Sequence, residues 1–208
     1  TAGRPGTFIY WASTTGQTLE DRTGRDAQLT GAIVIDPVGA RRDTAERVFV
    51  ITLMDVLPDT TKPLAGQSDI FDVAINGKSW PHTERLTYST GDTVRWRWVN
   101  GGQLTHPMHL HGFHFRVLSK GDGSVDTLYA ADAVPTVVTE WMRTGSTFSM
   151  EFVPTREGRW LFHCHMVGHI LPFPTRPDSV PSSSGCRPSP SCAWTSARRT
   201  SARMPVTR

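Results

Sequence analysis

His163-Cys164-His165-Met166-Val167-Gly168-His169 closes a run of bulky residues, Gly158-Arg159-Trp160-Leu161-Phe162. Large apolar and aromatic side chains suit a pleated strand, so His163 to His165 are predicted to sit at a strand end. Side chains alternate there: His163 and His165 face one way and Cys164 the other. Upstream stands His106-Pro107-Met108-His109-Leu110-His111, and the two runs together hold six of the eight histidines. Imidazole nitrogen and thiolate are the donors that soft and borderline transition metals select. A strand with ligands on both faces can serve two metal centres joined by a few covalent bonds, which is an arrangement suited to moving electrons. Zinc accepts the same donors, although structural zinc sites usually gather them in short loops rather than on two faces of one strand.

Over about residues 48–170 this paired pattern resembles the C-terminal copper-binding motifs of the multicopper oxidases, the laccase-like family built from cupredoxin domains. The resemblance implies an all-β, cupredoxin-like Greek-key β-sandwich with copper as its cofactor. It implies His106, Cys164 and His169 as type 1 (blue) copper ligands, His109 as a type 2 ligand, and His111, His163 and His165 as type 3 ligands. A small-molecule reductant such as a phenol, or a metal ion, would then give up single electrons at the type 1 copper. Those electrons would pass through Cys164, His163 and His165 to a trinuclear copper cluster that reduces dioxygen to water. This chain supplies only part of such a cluster. The remaining ligands are implied to come from a preceding domain or from a neighbouring subunit, as in a homo-oligomeric trimer. The resemblance also implies a periplasmic or secreted parent protein. Many family members carry a methionine five residues past the last histidine, where this chain has Pro174, which cannot ligate. Leu171, Phe173 or no axial group at all is left, with Met166 and Met204 as poor substitutes.

Working outward, Gly6-Thr-Phe-Ile-Tyr-Trp-Ala-Ser13 repeats the layout of residues 158–165, with Trp11, Ala12 and Ser13 where the second copy has its ligand triplet. Two successive cupredoxin domains would give this repeat. Family members usually supply two type 3 histidines from the first copy, so a cluster completed by this chain is not expected. Two alternatives to the oxidase follow. One is a cupredoxin electron-transfer or copper-binding module without oxygen reduction, and the other is a two-domain copper enzyme resembling the nitrite reductases.

The domain plan read from the sequence is the end of a truncated cupredoxin-like domain at 1–36, a linker at 37–46, the copper-bearing domain at 47–173 and a tail at 174–208. In the third segment, strand-like runs bounded by turn residues recur at short intervals, as a sandwich requires. They fall at 48–56, 70–75, 93–99, 113–118, 127–130, 136–140, 147–153 and 159–163. Trp96, Trp98, Trp141 and Trp160 are expected in the core. His82 is expected at the surface, and His114 outside the ligand set. Asp132 and Glu140 are read as loop acids.

The tail holds eight Ser, six Pro and six Arg with almost no aliphatic bulk, and is expected to be disordered or translated out of frame. It carries six of the 22 basic residues and one of the 19 acidic ones, so the pI near 9.0 belongs to the tail and the remainder is slightly acidic. That balance gives no reason to expect a nucleic-acid partner, and no apolar run is long enough to span a bilayer. Three cysteines, two of them in the tail, do not make a disulfide framework. Sequencing the coding DNA through the Phe173 codon tests the reading frame, and a single intact frame would refute the out-of-frame origin.

Overall fold

The computed structural model describes residues 3–22, 24–41, 43–55, 71–166 and 169, together with the backbone of 192–197. In chain order the strands are β1 (Gly6–Trp11), β2 (Thr30–Ile35), β3 (Arg47–Asp55), β4 (Phe71–Ile75), β5 (Leu86–Thr87), β6 (Val94–Asn100) and β7 (His106–Leu110). They continue with β8 (Phe115–Gly121), β9 (Asp126–Leu128), β10 (Thr136–Val137), β11 (Thr139–Met142), β12 (Thr147–Phe152), β13 (Gly158–Cys164) and β14 (Cys192–Ala197). A 3-10 helix spans Gly24–Gln28. One sheet runs β10-β8-β12-β6-β3-β4 with β9 alongside β8, and the other runs β11-β7-β13-β14-β5. They face each other as a cupredoxin-like sandwich, while β1 and β2 form a separate antiparallel pair.

Alternation along β6 shows how the sequence builds the first sheet. Val94, Trp96 and Trp98 are buried, while Arg95 on the other face reaches Glu151 at 2.8 Å and Arg97 reaches Glu46 at 2.7 Å. Opposite them on β12, Phe148 pairs with Trp98, Met150 with Trp96 and Phe152 with Val94. The layers meet through aromatic rings. Trp98 stacks on Phe49 at 4.5 Å on one side and on Phe162 of the second sheet at 4.8 Å, and Trp96 meets Phe162 edge-on at 5.2 Å. Such pairs add to the large apolar area each ring removes from water.

Most of the anticipated strands are present, with informative differences. The run 136–140 is not one strand: Thr136–Val137 pairs with β8 in the first sheet, whereas Thr139–Met142 pairs with β7 in the second. The chain changes layers at Val138, as strands do at sandwich corners. His106–Leu110, read from the sequence only as a ligand run, is itself a strand. Trp141, expected in the core, is 50% exposed, because β11 is an edge strand and Trp141 lies across from Pro107 rather than under a layer. Within the stretch expected to be disordered, residues 192–197 form β14 against β13. This short run, Cys-Ala-Trp-Thr-Ser-Ala, lacks the prolines that surround it, so it can supply ladder donors to an otherwise open edge. Other residues of that stretch, including Cys186 and Met204, lie outside the described residues.

The repeat noticed in the sequence recurs in the backbone. Gly6 and Gly158 both take positive φ, 146° and 152°, and each is covered by the aromatic ring two residues on. A Cβ on Gly6 would lie 3.2 Å from the Phe8 ring, and one on Gly158 would lie 2.8 Å from the Trp160 ring.

Because Phe162 joins the two layers, Phe162→Ala is expected to cost about 3–5 kcal/mol, read as a lower urea midpoint with an unchanged slope. A loss below about 1 kcal/mol would contradict this role.

Candidate metal centre

Pairing of β7 with β13 decides where the strand-borne predicted ligands point. The register sets Leu110 across from Phe162, His109 across from His163 and Met108 across from Cys164. On the inner face lie Met108, Leu110, Phe162 and Cys164, all within the buried core. His106, in step with Met108 and Leu110, turns inward with them and is fully buried. Opposite them, His109 and His163 share the outer face.

At the inner end of the sandwich, donor atoms of His106, Cys164 and His169 all lie within 4.8 Å of one another. Cys164 Sγ is 3.2 Å from His169 Nδ1 and accepts the Met166 backbone N–H at 3.5 Å. Both ring nitrogens of His106 are buried without a hydrogen-bond partner among the described residues. An imidazole left this way costs roughly 1–3 kcal/mol, a penalty that a metal ion accepting its lone pair would relieve. Burial, with His169 adding to it, pushes the His106 pKa down to about 3, and burial also lowers that of His169. Both rings are therefore neutral near pH 7, as metal ligation requires. With two imidazoles and a thiolate converging, the set suits a trigonal copper site. The side chain of Met166 is 40% exposed, and Leu171, Phe173 and Pro174 lie outside the described residues.

On the outer face His109, His111, His163 and His165 form a second group. The His109 ring lies 4.9 Å from His111, 5.7 Å from His163 and 5.1 Å from His165, centroid to centroid. His163 Nδ1–H donates to the Cys164 carbonyl at 2.7 Å, which fixes the tautomer and leaves Nε2 as the lone-pair atom. That Nε2 lies 2.9 Å from Nε2 of His111, so in the metal-free chain His111 donates to it. His109 Nδ1 hydrogen-bonds Thr139 Oγ1 at 2.8 Å, which fixes the ring's orientation. Burial lowers the pKa values of His109 and His111, and takes His163 to about 4.

Thr139 was not foreseen in the sequence; only its place across from His109 in the β11–β7 register reveals it. Glu140 is engaged by Lys120 rather than by a histidine. Asp132, His82 and His114 are exposed and apart from both groups. Trp11 and Ser13, which stand in the earlier triplet, are committed elsewhere. Ser13 Oγ–H donates to Asp26 at 2.9 Å, and the Arg22 guanidinium lies 5.2 Å from the Trp11 ring centroid.

Residues 52–171 match the family profile described as multicopper oxidase. Laccase-9 of Arabidopsis thaliana is 38% identical over 118 residues, 48% of this chain. The fold is similar to the blue copper oxidase of Nitrosomonas europaea, with a TM-score of 0.66 and 18% identity over 94% of this chain. It is also similar to the copper nitrite reductase of the same organism, with a TM-score of 0.61 and 18% identity over 94% of this chain. The chain spans 20% of the length of the laccase, and 57% and 63% of the two bacterial structures.

Burying neutral rings ties stability to pH. Unfolded histidines bind protons near pH 6.5, whereas His106 and His163 resist in the folded chain down to about 3 and about 4. Between these limits the unfolded chain binds more protons, so stability is greatest above about pH 6.5 and falls as the pH drops toward about 3. Urea unfolding of the metal-free chain is expected to show a lower midpoint at about pH 4.5 than at about pH 7, and His106→Phe should flatten the difference. Equal midpoints in the unsubstituted chain would count against the buried neutral imidazoles.

Proposed function

This chain belongs to the multicopper oxidase family, and from that premise we propose that it is part of a laccase-like copper oxidoreductase that takes electrons at a type 1 site. We assign that site to His106, Cys164 and His169. The observation that carries the assignment is the approach of their donor atoms to within 4.8 Å around a buried imidazole that has no hydrogen-bond partner among the described residues. Copper held there and at the outer histidines would supply one-electron redox chemistry, with a phenolic or metal-ion reductant oxidised and dioxygen reduced to water.

The chain's own residues prepare for that chemistry. Cys164 is joined by single peptide links to His163 and His165, one on each side, so the inner donor and two outer donors share a continuous backbone. The His163 Nδ1–H···O=C bond to Cys164 adds a second connection between the faces. Thr139 orients His109, and burial keeps His106 deprotonated. His109 is assigned to a type 2 ion, and His111, His163 and His165 to type 3 ions, with the remaining ligands supplied by a preceding domain or a neighbouring subunit, as in a trimer. Residues 47–173 are read as the copper-bearing domain and 1–36 as the end of another, linked by 37–46. The family's setting suggests a secreted or periplasmic parent, and among the described residues no helix is long and apolar enough to cross a membrane.

A second reading, an electron-transfer or copper-binding module without oxygen reduction, draws support from the engagement of Ser13 by Asp26 and of Trp11 by Arg22. A nitrite-reductase-like enzyme would differ from both in its copper content. Four coppers per full-length parent chain favour the oxidase, one the carrier and two the reductase-like case.

Copper-loaded chain is expected to show the intense red absorption of a thiolate–copper bond and to lose it in Cys164→Ser, while consuming no oxygen by itself in steady state. A colourless loaded protein, or colour that survives the substitution, would overturn the type 1 assignment. Sustained oxygen uptake by the isolated chain would overturn the need for ligands from elsewhere.

A further inference from the structure

Among the described residues nothing hydrogen-bonds to the His106 ring, so its position depends on the backbone that delivers it. That backbone is the loop after β6, Gly101 to Thr105, and it is anchored from two sides. Gly102 and Leu104 are held from within the domain: Gly102 N–H donates to Asn100 Oδ1 at 3.1 Å, and Asn100 Nδ2–H donates to the Leu104 carbonyl at 2.7 Å. Gly101 is held from both sides, its N–H donating to the Ile51 carbonyl at 2.9 Å and its carbonyl accepting from Arg22, which also holds Gln103. The guanidinium Nη2–H donates to the Gly101 carbonyl at 3.0 Å, and Gln103 Nε2–H donates to the Arg22 carbonyl.

Arg22 is itself 1% exposed. Its other hydrogen bonds go to the carbonyls of Ala12, Asp26 and Leu29 and to Thr30 Oγ1. It thereby gathers the segment that carries Trp11-Ala12-Ser13 and fastens it to the ligand loop. Contact at this seam is close: a Cβ on Gly101 would lie 2.1 Å from Thr30 Cγ2. A planar fork serving several carbonyls at fixed angles is what a guanidinium offers and an ammonium does not.

We propose that Arg22 is a positioning residue for the copper site. It acts through Gly101 and Gln103 on His106, and couples residues 1–36 to metal binding although none of those residues is a ligand. The inference rests on reading His106 as a copper ligand. Removing a group that orients a metal ligand typically weakens the metal by about 10–100-fold.

The unsubstituted chain should be compared with Arg22→Met, Arg22→Lys and, as a stability control on β8, Val117→Ala. Copper(II) binding, the thiolate–copper absorption and electron paramagnetic resonance, and the thermal midpoint should each be measured. Arg22→Met is expected to bind copper(II) about tenfold or more weakly and to shift the absorption and resonance parameters. Arg22→Lys should recover this only in part, and Val117→Ala should lower the midpoint while leaving the copper signals alone. Copper affinity and spectra unchanged in Arg22→Met would overturn the proposal, whatever its midpoint. If that variant does not fold, Gln103→Ala removes the second tether, and copper binding identical to the unsubstituted chain would then overturn it. A wild-type chain that takes up no copper would strike at the ligand reading instead. In that event the imidazole nitrogen resonances of His106 in metal-free protein decide, since Arg22→Met must still move them.

Discussion

The pleat of two neighbouring strands is the constraint on which everything else rests. Once β7 and β13 pair with Cys164 across from Met108 and His163 across from His109, successive residues must look to opposite sides of one sheet. The inner side is the aromatic and aliphatic core of the sandwich, and the outer side is partly open. A slip of one residue would send the thiolate outward and a second imidazole inward, exchanging both donor sets. The aromatic stack of Phe49, Trp98 and Phe162 makes that slip costly, because Phe162 would have to leave the core with it. Packing of the hydrophobic layers therefore also enforces the register of the metal donors.

Electrostatics follows from that placement. Because the inner donors end up where little water reaches, His106 is held neutral chiefly by desolvation, with His169 adding to it. The outer rings keep partners of their own: Thr139 for His109, the Cys164 carbonyl for His163, and His163 for His111. Among the described residues, one face thus has an imidazole left without partners, and the other has rings linked in a short chain of hydrogen bonds. The chain belongs to a family that binds copper, and this contrast suits a site that must be dry on one side and reachable on the other.

Much of this was legible in the sequence because it rests on period-two alternation and on the spacing of uncommon residues. His-Cys-His at the end of an aromatic run fixes both the strand and the facing of its donors, and Val94 to Trp98 declares its buried side. The misreadings share a physical cause. The split at Val138, the exposure of Trp141 and the pairing of 192–197 all depend on which strand is a neighbour, and local pattern carries no such information. Arg22 and Thr139 escaped notice for the same reason. An arginine between Asp21 and Thr23 in a polar loop has the sequence signature of a solvated charge, yet its partner carbonyl lies 79 positions away.

At Val138 the polypeptide leaves one layer and enters the other within a single residue, and its carbonyl accepts the Leu110 N–H at 3.0 Å. Val137 thus closes a ladder with Phe115 in the far sheet while Thr139, two positions on, steadies the His109 ring. The two halves of the sandwich are stitched together beside the histidines. The His109 ring is thereby tied through Thr139 to the far sheet as well as to its own.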